Sequence, residues 1–370
     1  MLYNRSGRVA ALAALGLVGG AAAQVGPAAG APAEERPLTI DRMYISWPMR
    51  AAPVPAERNL RYGPADRQVL DLWVPTAEQR AAAGLGEGAP TPLVVYFHFG
   101  SFVSFGKETV PGYFVEEALN RGWAVASANY RYTSEPGVNL PDPMRDGARA
   151  IQALRHRAAE FGLDTDRVAA VGASAGAGIA LWVGLHDDLA DPDAEDPVLR
   201  ESSRVVFVGA VEGQATYDPR EFERLFPDDA ERLFAVPDFR TFFEWQPGEP
   251  VDEADAEAFR LASPVTHLSA DDPPMYMGYA MGPAGLFGNN RVYAVIHDPA
   301  LGEVLVDAID ARAESGEAMP AYRFDVLRQA PRGTLPGRGG LLDLLAAAFE
   351  PADGSATDTT GDEEQVDRPE

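Results

Sequence analysis

A chain of 370 residues in which 46% are apolar and 24% charged has enough apolar material for a sizeable core, which excludes wholesale disorder. The absence of cysteine excludes disulfide scaffolds, thiolate zinc sites and thiol nucleophiles, and the formal charge of −25 opposes approach to nucleic acid or an anionic membrane surface. Lys107 is the sole lysine, the other 30 basic residues being arginine, so Schiff-base chemistry is all but ruled out and no cofactor or metal is expected.

Taken in chain order, residues 1–23 place Arg5 and Arg8 before the small, apolar run Val9 to Ala23, which closes on Ala21-Ala22-Ala23. A charged start, a short apolar stretch and small residues at its end are the pattern of a secretory signal peptide, and Gly16, Gly19 and Gly20 weigh against a spanning helix. Export to the periplasm or the medium follows as an expectation, with no membrane insertion once the signal is removed. Residues 24–37, rich in Ala, Pro and Gly, read as a linker, and the folded domain is expected over 38–349. From Glu350 to Glu370 eight carboxylates face one arginine with almost no apolar side chain, so residues 350–370 are expected to stay a disordered acidic tail.

Within the domain, Val69 to Val74 alternates at period two, as a half-buried antiparallel strand should. Leu93 to Phe97 and Trp123 to Ala128 are continuous apolar runs, the mark of strands covered on both faces. Apolar positions at Met144, Ala148, Ile151, Leu154, Ala158 and Phe161 predict a helix over Asp142 to Phe161, stopped by Gly162. A strand at Arg167 to Val171, a helix at Ile179 to Leu185 and a strand at Arg204 to Val211 follow. Then come a strand at Met275 to Ala280, a helix near Glu303 to Ala313, a strand at Tyr322 to Leu327 and a closing helix at Leu341 to Phe349. This alternation implies an α/β fold, a doubly wound and mostly parallel sheet, with an inserted cap at about 186–262.

The chemistry-bearing turn is Gly172-Ala173-Ser174-Ala175-Gly176, a G-x-S-x-G between a strand and a small-residue helix. A serine hydroxyl becomes a nucleophile when a tight turn exposes it, a base takes its proton and amides await the oxyanion. The two glycines let such a turn close, and the helix that follows favours developing negative charge at its start. Ser174 is therefore the candidate nucleophile. Burial of its hydroxyl, or the absence of any imidazole within reach, would count against an enzyme.

With His98-Phe99-Gly100-Ser101-Phe102 after the Leu93 strand, Asn129-Tyr-Arg-Tyr132, Pro141-Asp142 and the Ser263 to Pro274 segment, the chain resembles the α/β hydrolases of the esterase branch. It is similar to the hormone-sensitive-lipase-like and BD-FAE feruloyl-esterase-like families over roughly residues 60–350. The resemblance implies an esterase acting on a small-molecule ester, with Gly100, Ser101 and Ala175 donating the oxyanion amides. Phe99 stands where the usual loop has its first glycine, so strain at Phe99 or a shifted loop is expected. In these families an Asp follows the strand equivalent to Met275 to Ala280 and a His follows the strand equivalent to Tyr322 to Leu327; neither is present here.

Five histidines remain to supply a base. His98 belongs to the oxyanion strand, His156 lies between two arginines on a helix face, His186 ends the helix after Ser174, and His267 precedes the Met275 strand. His297 alone follows that strand, toward the edge where ligands bind, and is the candidate base. For the acid, Glu212, Asp218 and Asp298 stay open. The carboxylates of Asp187 to Asp196 are spaced as calcium ligands could be, although a solvated acidic loop explains them as well. Aromatics between Tyr217 and Trp245 could line a substrate pocket or form the cap's own core. Two functions fit: an exported serine hydrolase cleaving carboxylic esters through an acyl-enzyme on Ser174, or a non-catalytic binding protein of the same fold with a degenerate triad. Oligomeric state is not determined by the sequence.

Overall fold

The computed structural model describes residues 51–229, 250–281, 291–328 and 340–350. The expected signal peptide (1–23) and linker (24–37), the acidic residues after Glu350 and the aromatics Phe234, Phe239, Phe242, Phe243 and Trp245 lie outside the described residues.

Among the described residues eight strands form one sheet: β1 (Glu57–Arg61), β2 (Val69–Trp73), β3 (Thr91–Phe97), β4 (Ala124–Ala128), β5 (Leu163–Ala173), β6 (Phe207–Val211), β7 (Met275–Met281) and β8 (Tyr322–Arg328). Their spatial order is β1-β2-β4-β3-β5-β6-β7-β8. The β1–β2 and β2–β4 pairs are antiparallel and every pair from β4 onward is parallel. The helices among the described residues are α1 (Ala77–Ala82), α2 (Gly112–Asn120), α3 (Pro141–His156), α4 (Ala158–Phe161), α5 (Ala175–Leu185), α6 (Pro219–Leu225), α7 (Glu253–Ala262), α8 (Arg291–Ile296), α9 (Ala300–Glu314) and α10 (Gly340–Phe349). None is long and apolar enough to cross a membrane.

The continuous apolar run of β3 is buried along its whole length, because each face meets its own core. Leu93, Val95 and Phe97 pack with Met144 and Ile151 of α3 and Ile179 of α5, while Val94 and Tyr96 pack with Phe114 and Val115 of α2 and Leu341 and Leu345 of α10. Burying each such aliphatic side chain contributes roughly 1.5–3 kcal/mol.

Three expectations need correction. β2 is not half-buried: Leu70 through Trp73 are all covered, and Asp71, the polar position of the alternation, meets Lys107 Nζ at 2.8 Å instead of water. The predicted helix over Asp142 to Phe161 is two helices, since Arg157 leaves helical geometry at φ −104° before α4 resumes and Gly162 ends it at φ 64°. The interval 186–262 is not wholly a cap, because β6 within it pairs in parallel with both β5 and β7 in mid-sheet.

Candidate active site

Three chain segments meet at the carboxyl ends of β3, β5, β6 and β7. The first is the turn from β5 into α5. Ser174 has φ 52° and ψ −119°, a left-handed conformation that costs about 1–3 kcal/mol for a residue with a side chain. Its amide donates to the Val211 carbonyl of β6 at 2.8 Å, which ties the turn to the neighbouring strand. Both glycines of the motif are required by close approach: a Cβ on Gly172 would lie 2.1 Å from the Gly176 carbonyl oxygen, and one on Gly176 would lie 2.0 Å from the Phe97 carbonyl oxygen. The second contact draws the start of α5 against the end of β3, beside the loop expected to supply oxyanion donors.

That loop is the second segment. The strain expected at Phe99 falls instead on Ser101 and Phe102, at φ 52° and 57°, after Gly100 takes φ 128°. Phe99 keeps ordinary backbone geometry and is 1% exposed, packed with Ala173 and Val211 on either side of the serine turn and edge-on to Phe105. The Gly100 carbonyl accepts from the amides of Val103 and Ser104, both at 3.0 Å, which closes the turn. His98 secures its entry: the ring stacks on Tyr130 at 4.2 Å, Tyr130 Oη donates to the His98 carbonyl, and His98 Nδ1 lies 2.6 Å from the Phe99 carbonyl. Burial pushes the His98 imidazole down to about 3, so it is neutral at pH 7, and the proton on Nδ1 is the one that satisfies that carbonyl. Because a trans peptide points its C=O and N–H in opposite directions, holding the Phe99 carbonyl fixes the direction of the Gly100 N–H.

The third segment carries the imidazole. His297 follows α8 directly, is 4% exposed, and places Nε2 2.8 Å from Ser174 Oγ. The arm is held by Gln214, whose Nε2 donates to the Ile296 carbonyl at 2.5 Å, and by Asp298, whose amide donates to the Val295 carbonyl at 3.2 Å. The other histidines lie elsewhere. His156 is exposed beside Glu201, while His186 and His267 pack against each other and Trp182, with ring centroids 4.5 Å apart.

The three acid candidates separate by environment. Asp218 caps α6 by accepting from the Arg220 amide and pairs with the Arg220 guanidinium. Asp298 accepts from the Ala300 amide at the start of α9. Glu212 is buried at the end of β6 with φ 53°, one residue after the carbonyl that receives the Ser174 amide. Burial pushes its carboxyl up to about 8, opposed by a backbone hydrogen bond with Ala280.

The motif predicts an accessible hydroxyl; as a whole residue Ser174 is 5% exposed, and its Oγ meets His297 Nε2. The calcium reading has no geometric support: Asp188 accepts from the amides of Ala190 and Ser203, Asp191 from that of Asp193, and Asp196 caps a short 3-10 helix and pairs with Arg149. Among the described residues no group of three or more potential ligand side chains could hold a metal ion. Of the cap aromatics that are described, Tyr217 and Phe222 belong to the main core. The residue that sequence reasoning missed is Gln214, which has no motif; its only signal is a glutamine two positions beyond Glu212.

The BD-FAE family model matches residues 83–280, a span that includes Gly100, Ser174 and Glu212 and ends before His297. Among relatives from Mycobacterium tuberculosis, the probable carboxylic ester hydrolase LipM is 28% identical over 218 residues, covering 58% of this chain and 44% of its own length. Esterase LipC is 26% identical over 253 residues, covering 64% and 56%. The chain thus spans about half the length of these relatives. Among solved structures, a truncated carbohydrate esterase from gut microbiota superposes with a TM-score of 0.56 at 17% identity, over 80% of this chain and 99% of its own. Esterase Est2 of Thermogutta terrifontis with bound propionate gives 0.51 at 21% identity, over 78% and 90%. These superpositions establish the α/β-hydrolase fold.

Proposed function

This chain belongs to the BD-FAE family of α/β hydrolases, and from that premise we propose that it hydrolyses small carboxylic esters through an acyl-enzyme on Ser174. The observation that carries the reading is the 2.8 Å contact between Ser174 Oγ and His297 Nε2, within reach for proton transfer. His297 takes the hydroxyl proton as Oγ attacks the ester carbonyl carbon, and the carbonyl oxygen becomes an oxyanion that the Gly100, Ser101 and Ala175 amides are there to hold. Collapse expels the alkoxide, which receives the proton from His297; water then repeats the sequence on the acyl-enzyme and frees the acid. Esterase names among the relatives support this choice of substrate class. The leader-like residues 1–23 support export to the periplasm or the medium, and the acidic charge disfavours nucleic acid as a partner.

Burial of Ser174 favours a second reading, a binding protein of this fold in which the serine and histidine pair without turnover. A fluorophosphonate probe separates the two. Labelling of the wild type that disappears in Ser174→Ala, with p-nitrophenyl acetate turnover reduced at least about 10³-fold in His297→Ala, supports the hydrolase. Folded wild-type protein that neither labels nor turns over supports the binding protein.

A further inference from the structure

We propose that Gln214 is a positioning residue for His297, holding the imidazole over Ser174 through a brace of buried hydrogen bonds that runs from Tyr217, packed against the nucleophile helix, to the base arm. The inference rests on the serine-hydrolase reading above.

The brace begins on α5. Gly178, four residues after Ser174, lies so close to the Tyr217 hydroxyl that a Cβ there would meet it at 1.9 Å. Tyr217, 3% exposed, donates that hydroxyl to Gln214 Oε1 at 3.3 Å. Gln214, 6% exposed, directs Nε2 at the carbonyls of Ile296 at 2.5 Å and Glu212 at 3.3 Å. Both of those partners are acceptors only, so the amide nitrogen must face them and the amide oxygen must face Tyr217. Burial also holds the Tyr217 phenol well above its ordinary value, so it remains a donor throughout the working range.

The consequence lies in what the Ile296 carbonyl precedes. Its peptide group leads directly into His297, so the Gln214 bond fixes the backbone from which the imidazole projects. Family relatives are expected to place the base after the last strand. In this chain the candidate base follows β7, and the Gln214 side chain, after β6, anchors the segment that carries it. Losing one amide donor would leave a buried carbonyl unsatisfied and release the arm, a displacement of the kind that costs roughly 10²-fold in rate for about 1 Å. Substrate does not touch Gln214 in this scheme, so binding is largely preserved.

The test uses the full chain and p-nitrophenyl acetate, with kcat and KM separated, melting followed by circular dichroism, and fluorophosphonate labelling of the wild type as the reference. Gln214→Met keeps volume and removes both amide functions; the expected result is kcat lower by roughly 10²-fold with KM within about threefold. Gln214→Glu gives a second readout. Its carboxylate faces two carbonyl oxygens and cannot donate, whereas its protonated form can, and burial away from any cation raises the pH at which it loses the proton. The variant should therefore lose activity as pH rises across the range in which the wild type gains it. Tyr217→Phe, one atom smaller, should lower kcat by several-fold with unchanged melting, and it serves as the test if Gln214→Met fails to fold. Wild-type kcat in folded Gln214→Met, or a Gln214→Glu profile parallel to the wild type, overturns the inference. Absence of labelling in the wild type overturns instead the hydrolase reading beneath it, so the two failures are distinguishable.

Discussion

Gly100→Ala isolates the proposed oxyanion loop from the rest of the fold. At φ 128° Gly100 occupies a region that L residues rarely enter, and a Cβ there would sit 2.1 Å from the Ser104 carbonyl oxygen and 2.8 Å from its carbon. Ordinary contact begins at 3.4 Å, so backbone must move by roughly 1 Å, and the atoms in the way are main-chain atoms that cannot rotate aside. The conformational strain alone is about 1–3 kcal/mol. The displacement acts on the peptide that offers the Gly100 N–H, and misplacing one such donor costs roughly 10²–10³ in kcat. Gly137→Ala is the matched control: φ is 80°, yet nothing lies within 4 Å of the added Cβ. Steady-state turnover of p-nitrophenyl acetate together with thermal melts should show both variants folded with lowered Tm, only Gly100→Ala losing kcat by about 10²-fold, and Gly137→Ala within twofold of wild type. Folded Gly100→Ala turning over at the wild-type rate would refute the reasoning, because the loop would then not be presenting an oxyanion donor.

Two further predictions concern buried charge. Burial raises the Glu212 carboxyl from 4.5 to about 8, so the folded state holds a proton that the unfolded chain releases; stability is full below about 4.5 and falls as pH rises toward 8. Glu212→Gln cannot titrate, so the difference between its unfolding free energy and that of the wild type should widen in its favour by up to about 1.4 kcal/mol per pH unit across that window, and a difference independent of pH would remove the premise. Lys107→Met leaves the Asp71 carboxylate, nine-tenths covered, with the Asn59 amide as its remaining hydrogen bond among those described. Urea denaturation should show a loss of about 3–5 kcal/mol, mostly recovered in Lys107→Met with Asp71→Asn; equal losses in the single and double variants would show that the pair's charge is not the cause.

The sequence by itself determined the architecture and the tight turn that carries the candidate nucleophile. Continuous apolar runs at Leu93 to Phe97 and Ala124 to Ala128 can satisfy both faces only inside a covered parallel sheet, and the glycines around Ser174 are demanded by contacts as close as 2.0 Å. Hydrophobic period and steric necessity are local properties, so they are readable in order along the chain. The tertiary structure alone decided what meets what. His297 lies 123 positions from Ser174 yet within 2.8 Å, Asp71 turned from a solvent-facing alternation into a buried partner of the sole lysine, and Gln214 acquired a role from the carbonyl of Ile296. Such pairings depend on how strand ends and crossing arms converge at one edge of a sheet, and convergence of distant segments leaves no period or spacing for the sequence to display.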